Sequence, residues 1–141
     1  MITEFKGNWA FLSNFHLCCF MWNGFNWSHS EGAYQAAKSL DVKDWIAIQR
    51  MTPGQSKRYG QKIKLRPDWE EIKDNIMLQI VFAKFSQNKD LLIKLKETGN
   101  LELQEGNTWH DRYWGIYPPG SGKGKNKLGL ALMQVREIFN G

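Results

Sequence analysis

The chain has 141 residues, of which 42% are hydrophobic and 23% charged, a balance typical of a globular protein. No apolar run approaches the roughly 20 residues that cross a membrane, and no secretory signal is visible, so we expect a cytoplasmic protein that folds as a single domain over residues 1–141. The net charge of +5 favours anionic partners such as nucleotides or nucleic acid.

The first predicted element is a β-hairpin over residues 20–27. Aromatic residues alternate there around Asn23-Gly24, a dipeptide that often joins two strands. Just before it, Cys18 and Cys19 are adjacent, which strains a disulfide and matches no zinc spacing. We therefore expect two reduced thiols, packed as small apolar residues.

The next predicted element is a helix from Ser28 to about Leu40. Ser28 followed three residues later by Glu31 forms a capping-box pattern. An apolar stripe at helical spacing follows, made of Ala33, Ala36, Ala37 and Leu40.

Further helices are predicted over residues 44–50, 55–60, 67–85, 88–98 and 126–139. Pro67 with the acidic residues after it marks one start, Asn88 caps another helix, and Gly99 marks its end. Leu101 and Leu103 alternate with polar residues, which indicates a brief strand. Together these elements predict a mostly helical α+β fold with a few short strands.

Glu31 has two interpretations. As the third residue of a capping box, it could simply bond the backbone N–H of Ser28. The same position lies in the positive potential of the helix start, which favours an ionised carboxylate that could orient water or stabilise an oxocarbenium-like transition state.

Two loops carry further candidate chemistry. Residues 105–115 combine acids, an amide, a histidine and three large rings, which fits either a functional loop or one pinned by its own aromatic side chains. Residues 118–125 are rich in Gly, Pro and Lys. They do not form a phosphate-binding P-loop, because Asn126 follows Lys125 where Ser or Thr is required. A basic loop beside an anionic ligand and a solvated loop both remain open.

The three histidines, His16, His29 and His110, lie far apart and match no metal-ligand spacing. We therefore expect neither a catalytic metal nor another cofactor.

The chain resembles the NADAR/YbiA-like family over roughly residues 5 to 138. The resemblance rests on many short motifs in the family's order: FLSNF at 11–15, SEGAYQAAK at 30–38, TPG at 52–54, RYG at 58–60, RPDW at 66–69, KFSQN at 84–88, TG at 98–99, residues 105–115, NKLG at 126–129 and LMQVR at 132–136.

The resemblance implies a YbiA-like α+β fold and metal-independent N-glycosidase chemistry. By position it implies that Glu31 is the central catalytic carboxylate and that Asp111 assists. Substrate contacts are implied for Asn14, Lys38, Trp69, Trp109, Trp114 and Asn126. Tyr34 and Gln35, which lie one turn after Glu31 on the same helix face, are also predicted to contact substrate.

The expected substrates are ribosylated nucleotides, foremost ADP-ribosylated guanine in nucleic acid. The alternatives are ribosylated pyrimidine intermediates of riboflavin synthesis, or a module that binds ADP-ribose without turning it over. Position 32 departs from the family, because Gly32 stands where many members carry His. The proton for the leaving group is then expected from Asp111, from His29 or His110, or from solvent.

Overall fold

A computed structural model describes residues 1–140 of the protein. A short 3₁₀ helix, Gly7–Leu12, precedes an antiparallel hairpin of β1 (Phe20–Trp22) and β2 (Phe25–Trp27). Six helices follow: α1 (Ser30–Ala37), α2 (Val42–Ile48), α3 (Pro53–Gly60), α4 (Trp69–Ser86), α5 (Lys89–Glu97) and α6 (Lys127–Asn140). The predicted mostly helical α+β class is confirmed.

The chain forms two compact units, each described by itself. The middle unit is Asn14–Asn88, and the terminal unit joins Met1–Ser13 to the residues from Lys89 onward. The prediction that residues 1–141 fold as a single domain stays a prediction.

Helix α1 is the centre of the middle unit. All eight of its residues are buried, and it packs against α2, α3 and α4. Small residues such as Ala33 and Ala36 let these neighbours approach closely. A helix surrounded in this way holds its polar side chains in fixed positions.

The hairpin is attached to α2 by aromatic rings. Asn23 and Gly24 both have positive φ, 54° and 81°, as a tight hairpin turn requires. The Trp22 ring stacks on that of Trp45, with centroids 5.6 Å apart and planes 11° apart. Most of the aromatic content near the hairpin therefore serves packing.

In the terminal unit, α5 packs against α6. The buried side chains of this unit include Leu95, Leu103, Leu132 and Val135. The Arg136 guanidinium of α6 donates at 2.8 Å to the hydroxyl of Thr98, the residue after α5, which satisfies a buried polar pair.

The structure corrects the predicted start of α1. The Ser28 carbonyl accepts a hydrogen bond from the Cys18 N–H, so Ser28 still belongs to the extended chain beside the hairpin. The N-cap is His29 instead, and α1 ends at Ala37 rather than near Leu40. It ends there because Ser39 and Asp41 bond the local backbone and start α2.

Two smaller predictions are also wrong. Leu103 pairs only with Ile2, in a single parallel bridge, so no strand forms at 101–103. Both cysteines are free, as expected, but Cys19 is exposed rather than packed, and Cys18 is only partly buried.

Candidate active site

The middle unit holds Glu31 in the first turn of α1, where the helix start favours an anion. The side chain is only 8% exposed. Its backbone N–H donates to the Asn14 carbonyl at 3.0 Å, and the Asn14 amide nitrogen contacts the Met77 sulfur at 3.6 Å. Asn14 and Glu31, 17 positions apart in sequence (31 − 14), are thus brought together.

His29 caps the start of α1. Its Nδ1 accepts the Gly32 N–H at 2.9 Å, and its Nε2 lies 2.8 Å from the Met51 carbonyl oxygen. Because a carbonyl only accepts, Nε2 must carry the proton and the ring is neutral. Burial lowers the pKa of the ring, against the opposing effect of the Met51 hydrogen bond.

The His29 ring also gives a physical reason for glycine at position 32. A Cβ on residue 32 would lie 2.8 Å from the His29 Cε1 and 3.2 Å from its Nδ1. A larger residue there would displace the cap. Glycine at position 32 therefore leaves the space that the His29 ring occupies as the cap of α1.

Gln35 lies one turn after Glu31 on α1. Its amide nitrogen donates to the Glu31 Oε2 at 2.6 Å, and the side chain is buried. Its amide oxygen has no hydrogen-bond partner and packs against Gly60, the last residue of α3. Gln35 was predicted to contact substrate, yet its amide nitrogen bonds the Glu31 carboxylate.

Lys38 is the C-cap of α1 and the next polar residue after Gln35 on this segment. Burial lowers the pKa of its ammonium group; the charge of Glu31 opposes this shift, and the charge of Lys73 adds to it. Its Nζ lies 5.5 Å from the centroid of the Tyr34 ring. Lys38 is thus less strongly basic than an ordinary lysine and interacts electrostatically with the candidate carboxylate.

Trp69 packs on the same face. Its ring centroid lies 5.4 Å from that of Tyr34, at an interplanar angle of 56°. Trp69 is 4% exposed and Tyr34 7%. These rings can form the wall of a site, but the structure leaves little of their faces open for a base to stack on.

The terminal unit holds the remaining predicted site residues. Its loop 105–117 is organised by Asn107, which is 1% exposed. The Asn107 amide nitrogen donates to the Glu105 carboxylate at 3.0 Å and to the Asp111 carbonyl at 2.8 Å, while its oxygen accepts the Asp111 N–H at 3.0 Å. Sequence reasoning missed this residue, because nothing local distinguishes a buried loop amide from a solvated one.

Asp111 also stabilises the loop. Its Oδ1 accepts the N–H groups of Tyr113 and Trp114, both at 2.9 Å. Trp109 is 52% exposed, and Trp114 is partly buried with its ring edge-on to Tyr113. Of the predicted aromatic contacts, Trp109 presents the most open ring.

Asn126 is committed to the backbone. It has φ of +53° and is 6% exposed. Its Oδ1 accepts the Glu105 N–H at 3.0 Å, and its Nδ2 donates to the Leu103 carbonyl at 2.9 Å. These bonds account for the residue at the start of α6, and its predicted substrate contact stays a prediction.

The loop at 118–125, the basic loop, is joined to the loop at 105–117, the aromatic loop. The Lys125 N–H donates to the Arg112 carbonyl at 2.8 Å, and the Lys125 Nζ lies 5.3 Å from the Tyr113 ring centroid. His110, with φ of +69°, places its ring 4.0 Å from that of Tyr117, centroid to centroid. The basic loop therefore holds at least one lysine in a fixed place.

The middle unit also has a cavity of about 740 Å³ that does not include Glu31. It is lined by Ser39, Leu40, Asp41, Val42, Asp44, Lys64, Leu65, Arg66 and Pro67. The chemistry of the carboxylate, not the volume of this cavity, identifies the candidate site.

Within residues 1–140, no group of three His, Cys, Asp or Glu side chains is placed to bind a metal ion. Within the same residues, no helix combines the length and the hydrophobicity of a membrane-spanning segment.

Comparison with known proteins gives consistent matches along the chain. The model of the NADAR domain matches residues 4–140. N-glycosidase YbiA of Shigella sonnei is 39% identical over 128 residues, covering 89% of this chain and 78% of that protein. The riboflavin biosynthesis protein VVA0006 of Vibrio vulnificus is 38% identical over 133 residues, which cover 92% of this chain but 35% of that protein. The NMR structure of Escherichia coli YbiA superimposes with a TM-score of 0.84 at 35% identity, covering 99% of this chain and 87% of that one.

Proposed function

The chain belongs to the NADAR domain family, and on that premise we propose that it is an N-glycosidase that hydrolyses the C1′–N bond of ribosylated nucleotides. One observation carries the proposal: a buried carboxylate, Glu31, stands at a helix start with Gln35 bonded to it and Lys38 within its electrostatic reach. Relatives named N-glycosidases, such as YbiA of Shigella sonnei, support the reaction class.

In the proposed reaction, the C1′–N bond breaks first and leaves positive charge on the ribose ring. The Glu31 carboxylate stabilises that charge and accepts a proton from the attacking water, whose oxygen bonds to C1′. The electron pair of the broken bond goes to the departing nitrogen. Each of these roles needs an ionised carboxylate, which the helix start favours.

The departing nitrogen must also gain a proton. We propose a source other than His29, because both of its ring nitrogens are engaged and the ring is neutral. Lys38 joins Asp111, His110 and solvent as a source, since burial lowers the pKa of its ammonium and makes it a better acid than an exposed lysine. A lysine in this position would also bind a ribose hydroxyl or a phosphate.

For the substrate we propose ADP-ribosylated guanine in nucleic acid, which the net charge of +5 suits. A second candidate is a ribosylaminopyrimidine phosphate of riboflavin synthesis, favoured by the similarity to the Vibrio vulnificus protein named for that pathway. Both substrates release their base through the same bond cleavage, so one site serves either.

A side-by-side assay tests the proposal. The purified protein is incubated with ADP-ribosylated DNA, ADP-ribosylated RNA and the riboflavin intermediates, and the released base and sugar are quantified by chromatography. We expect release of free ADP-ribose from the modified guanine. Release from the pyrimidine substrate alone would assign the second candidate, and saturable binding without release would make the protein a binding module.

A further inference from the structure

We propose that Gln35 is a positioning residue that orients the Glu31 carboxylate, and that glycine at position 60 gives the Gln35 carboxamide the space it needs. The proposal rests on the proposed function, in which Glu31 carries the chemistry. It assigns Gln35 a different role from the substrate contact predicted from the sequence.

The direction of the Gln35 amide follows from its neighbour. The distance from Nε2 to the Glu31 Oε2 is 2.6 Å, short for a nitrogen–oxygen hydrogen bond and typical of one to a charged acceptor. An ionised carboxylate only accepts, so the amide must turn its nitrogen toward Glu31. One carboxylate oxygen is thereby held, which restricts rotation of the group.

The oxygen of the same amide lies in an unfavourable environment. Gln35 is 5% exposed, and its Oε1 has no hydrogen-bond partner. Buried acceptors without partners are uncommon and unfavourable in folded proteins. A leucine of similar size would fill the same space without that penalty. The glutamine is therefore poorly explained by packing and well explained by its bond to Glu31.

Gly60 explains how the amide fits. A Cβ on residue 60 would lie 1.8 Å from the Gln35 Oε1 and 2.5 Å from its Cδ. The backbone of Gly60 is not in the left-handed region, so its conformation does not require glycine. The close approach of α1 and α3 at this point does. Gly54, in the same helix, offers a contrast: a Cβ there would meet only the Arg58 Nη1, at 3.7 Å.

The electrostatic surroundings of Glu31 include groups at both ends of α1. Lys38, at the end of α1, interacts with its charge, and Lys73 of α4 acts on Lys38. His29, at the start of α1, is held neutral by its two hydrogen bonds. Removing the Gln35 donor would leave these groups in place. Any change in the titration of Glu31 would then report the lost hydrogen bond, which favours the ionised carboxylate.

The first test is Gln35→Leu. We expect kcat to fall by roughly 100-fold, as for other misplacements of a reacting group, while KM changes little. The acid limb of the pH profile should move to higher pH. Thermal stability should change little, because removal of the unpaired buried oxygen offsets the lost hydrogen bond to Glu31. A loss of stability together with an unchanged kcat and pH profile would make Gln35 a structural residue and overturn the proposal.

A second measurement does not need turnover. The carboxyl carbon of Glu31 is followed by ¹³C NMR across a pH titration in the wild-type protein and in Gln35→Leu. We expect a higher midpoint in the variant, and equal midpoints would overturn the proposal. If no N-glycoside is hydrolysed by the wild-type protein, the proposed function fails while this titration still decides the role of Gln35.

A matched pair of glycine variants tests whether Gly60 provides the space for the Gln35 carboxamide. Gly60→Ala should displace the amide, lower kcat and raise the same ¹³C midpoint, whereas Gly54→Ala on the same helix should match the wild type. Similar behaviour of both variants, with Gly60→Ala folded, would contradict the role of Gly60. If Gly60→Ala does not fold, its failure beside a stable Gly54→Ala supports the steric contact, and Gln35→Leu alone decides the positioning role.

Discussion

At Glu31, two interpretations of the sequence lead to different structures. A capping box would have turned the carboxylate back onto the Ser28 N–H. The structure gives the cap to His29, whose ring accepts the Gly32 N–H. The glutamate is thereby released from a capping role, and its carboxylate is bonded by Gln35 instead. A residue that sequence reasoning treated as a possible acid is therefore the one that caps α1.

Replacing Glu31 with glutamine tests its role directly. We expect turnover in Glu31→Gln to fall by about 10³-fold or more, because neither charge stabilisation nor proton acceptance survives. The fold should persist, since His29 caps α1. Thermal unfolding and initial rates measure the two effects. Glu71→Gln, at an exposed position of α4, is the control. Retained activity in Glu31→Gln would remove this residue from the chemistry.

Helix α4 contains a buried cation that the proposed mechanism does not use. Lys84 is 1% exposed, and burial lowers its pKa to about 8, against the opposing effect of Cys18. Its Nζ lies 5.2 Å from the Phe85 ring centroid. Since burial disfavours the charged form, the folded state carries an electrostatic penalty at neutral pH.

The sign of the pH dependence follows from that lowered pKa. Between the folded value of about 8 and the unfolded value near 10.5, the unfolded chain binds more protons, so stability rises with pH there and the gain is lost as pH falls back toward 8. Lys84→Met should therefore raise the free energy of unfolding by up to about 3 kcal/mol at pH 7 and by much less above pH 10.5. Urea denaturation at both pH values measures this, with exposed Lys89→Met as control. A variant less stable than wild type at pH 7 would show that Lys84 is held by favourable contacts.

The aromatic loop supplies the most open ring among the predicted substrate contacts, that of Trp109. Trp109→Ala should raise KM or the dissociation constant by roughly tenfold to a hundredfold, as expected from the loss of one base-stacking contact. Isothermal titration with the product nucleotide measures the affinity. Trp9→Ala, at a ring that is 39% exposed, is the comparison. An unchanged affinity would count against stacking at Trp109.

At the scale of the whole molecule, the net charge of +5 separates two ways of meeting a substrate. If nucleic acid on either side of the modified base contacts the protein, added salt should reduce kcat/KM for an ADP-ribosylated oligonucleotide more steeply than for the ADP-ribosylated nucleoside. Initial rates over a series of NaCl concentrations test this. Parallel salt dependence of the two substrates would confine recognition to the modified nucleotide.

The sequence by itself determined most of the elements and the family. Apolar spacing predicted the helices, and Asn23-Gly24 predicted the hairpin, because these patterns act between residues a few positions apart. The ordered motifs indicated the family that the domain model matches over residues 4–140.

Tertiary structure alone decided the details of the candidate site. The contact of Gln35 with Gly60, the bond of His29 to Met51 and the Asn107 centre of the aromatic loop each depend on how chain segments pack. Gly60 resembles an ordinary glycine at a helix end until α1 is placed against it. Local patterns record interactions along the chain, whereas the surroundings of a side chain are set by neighbours that only folding brings near.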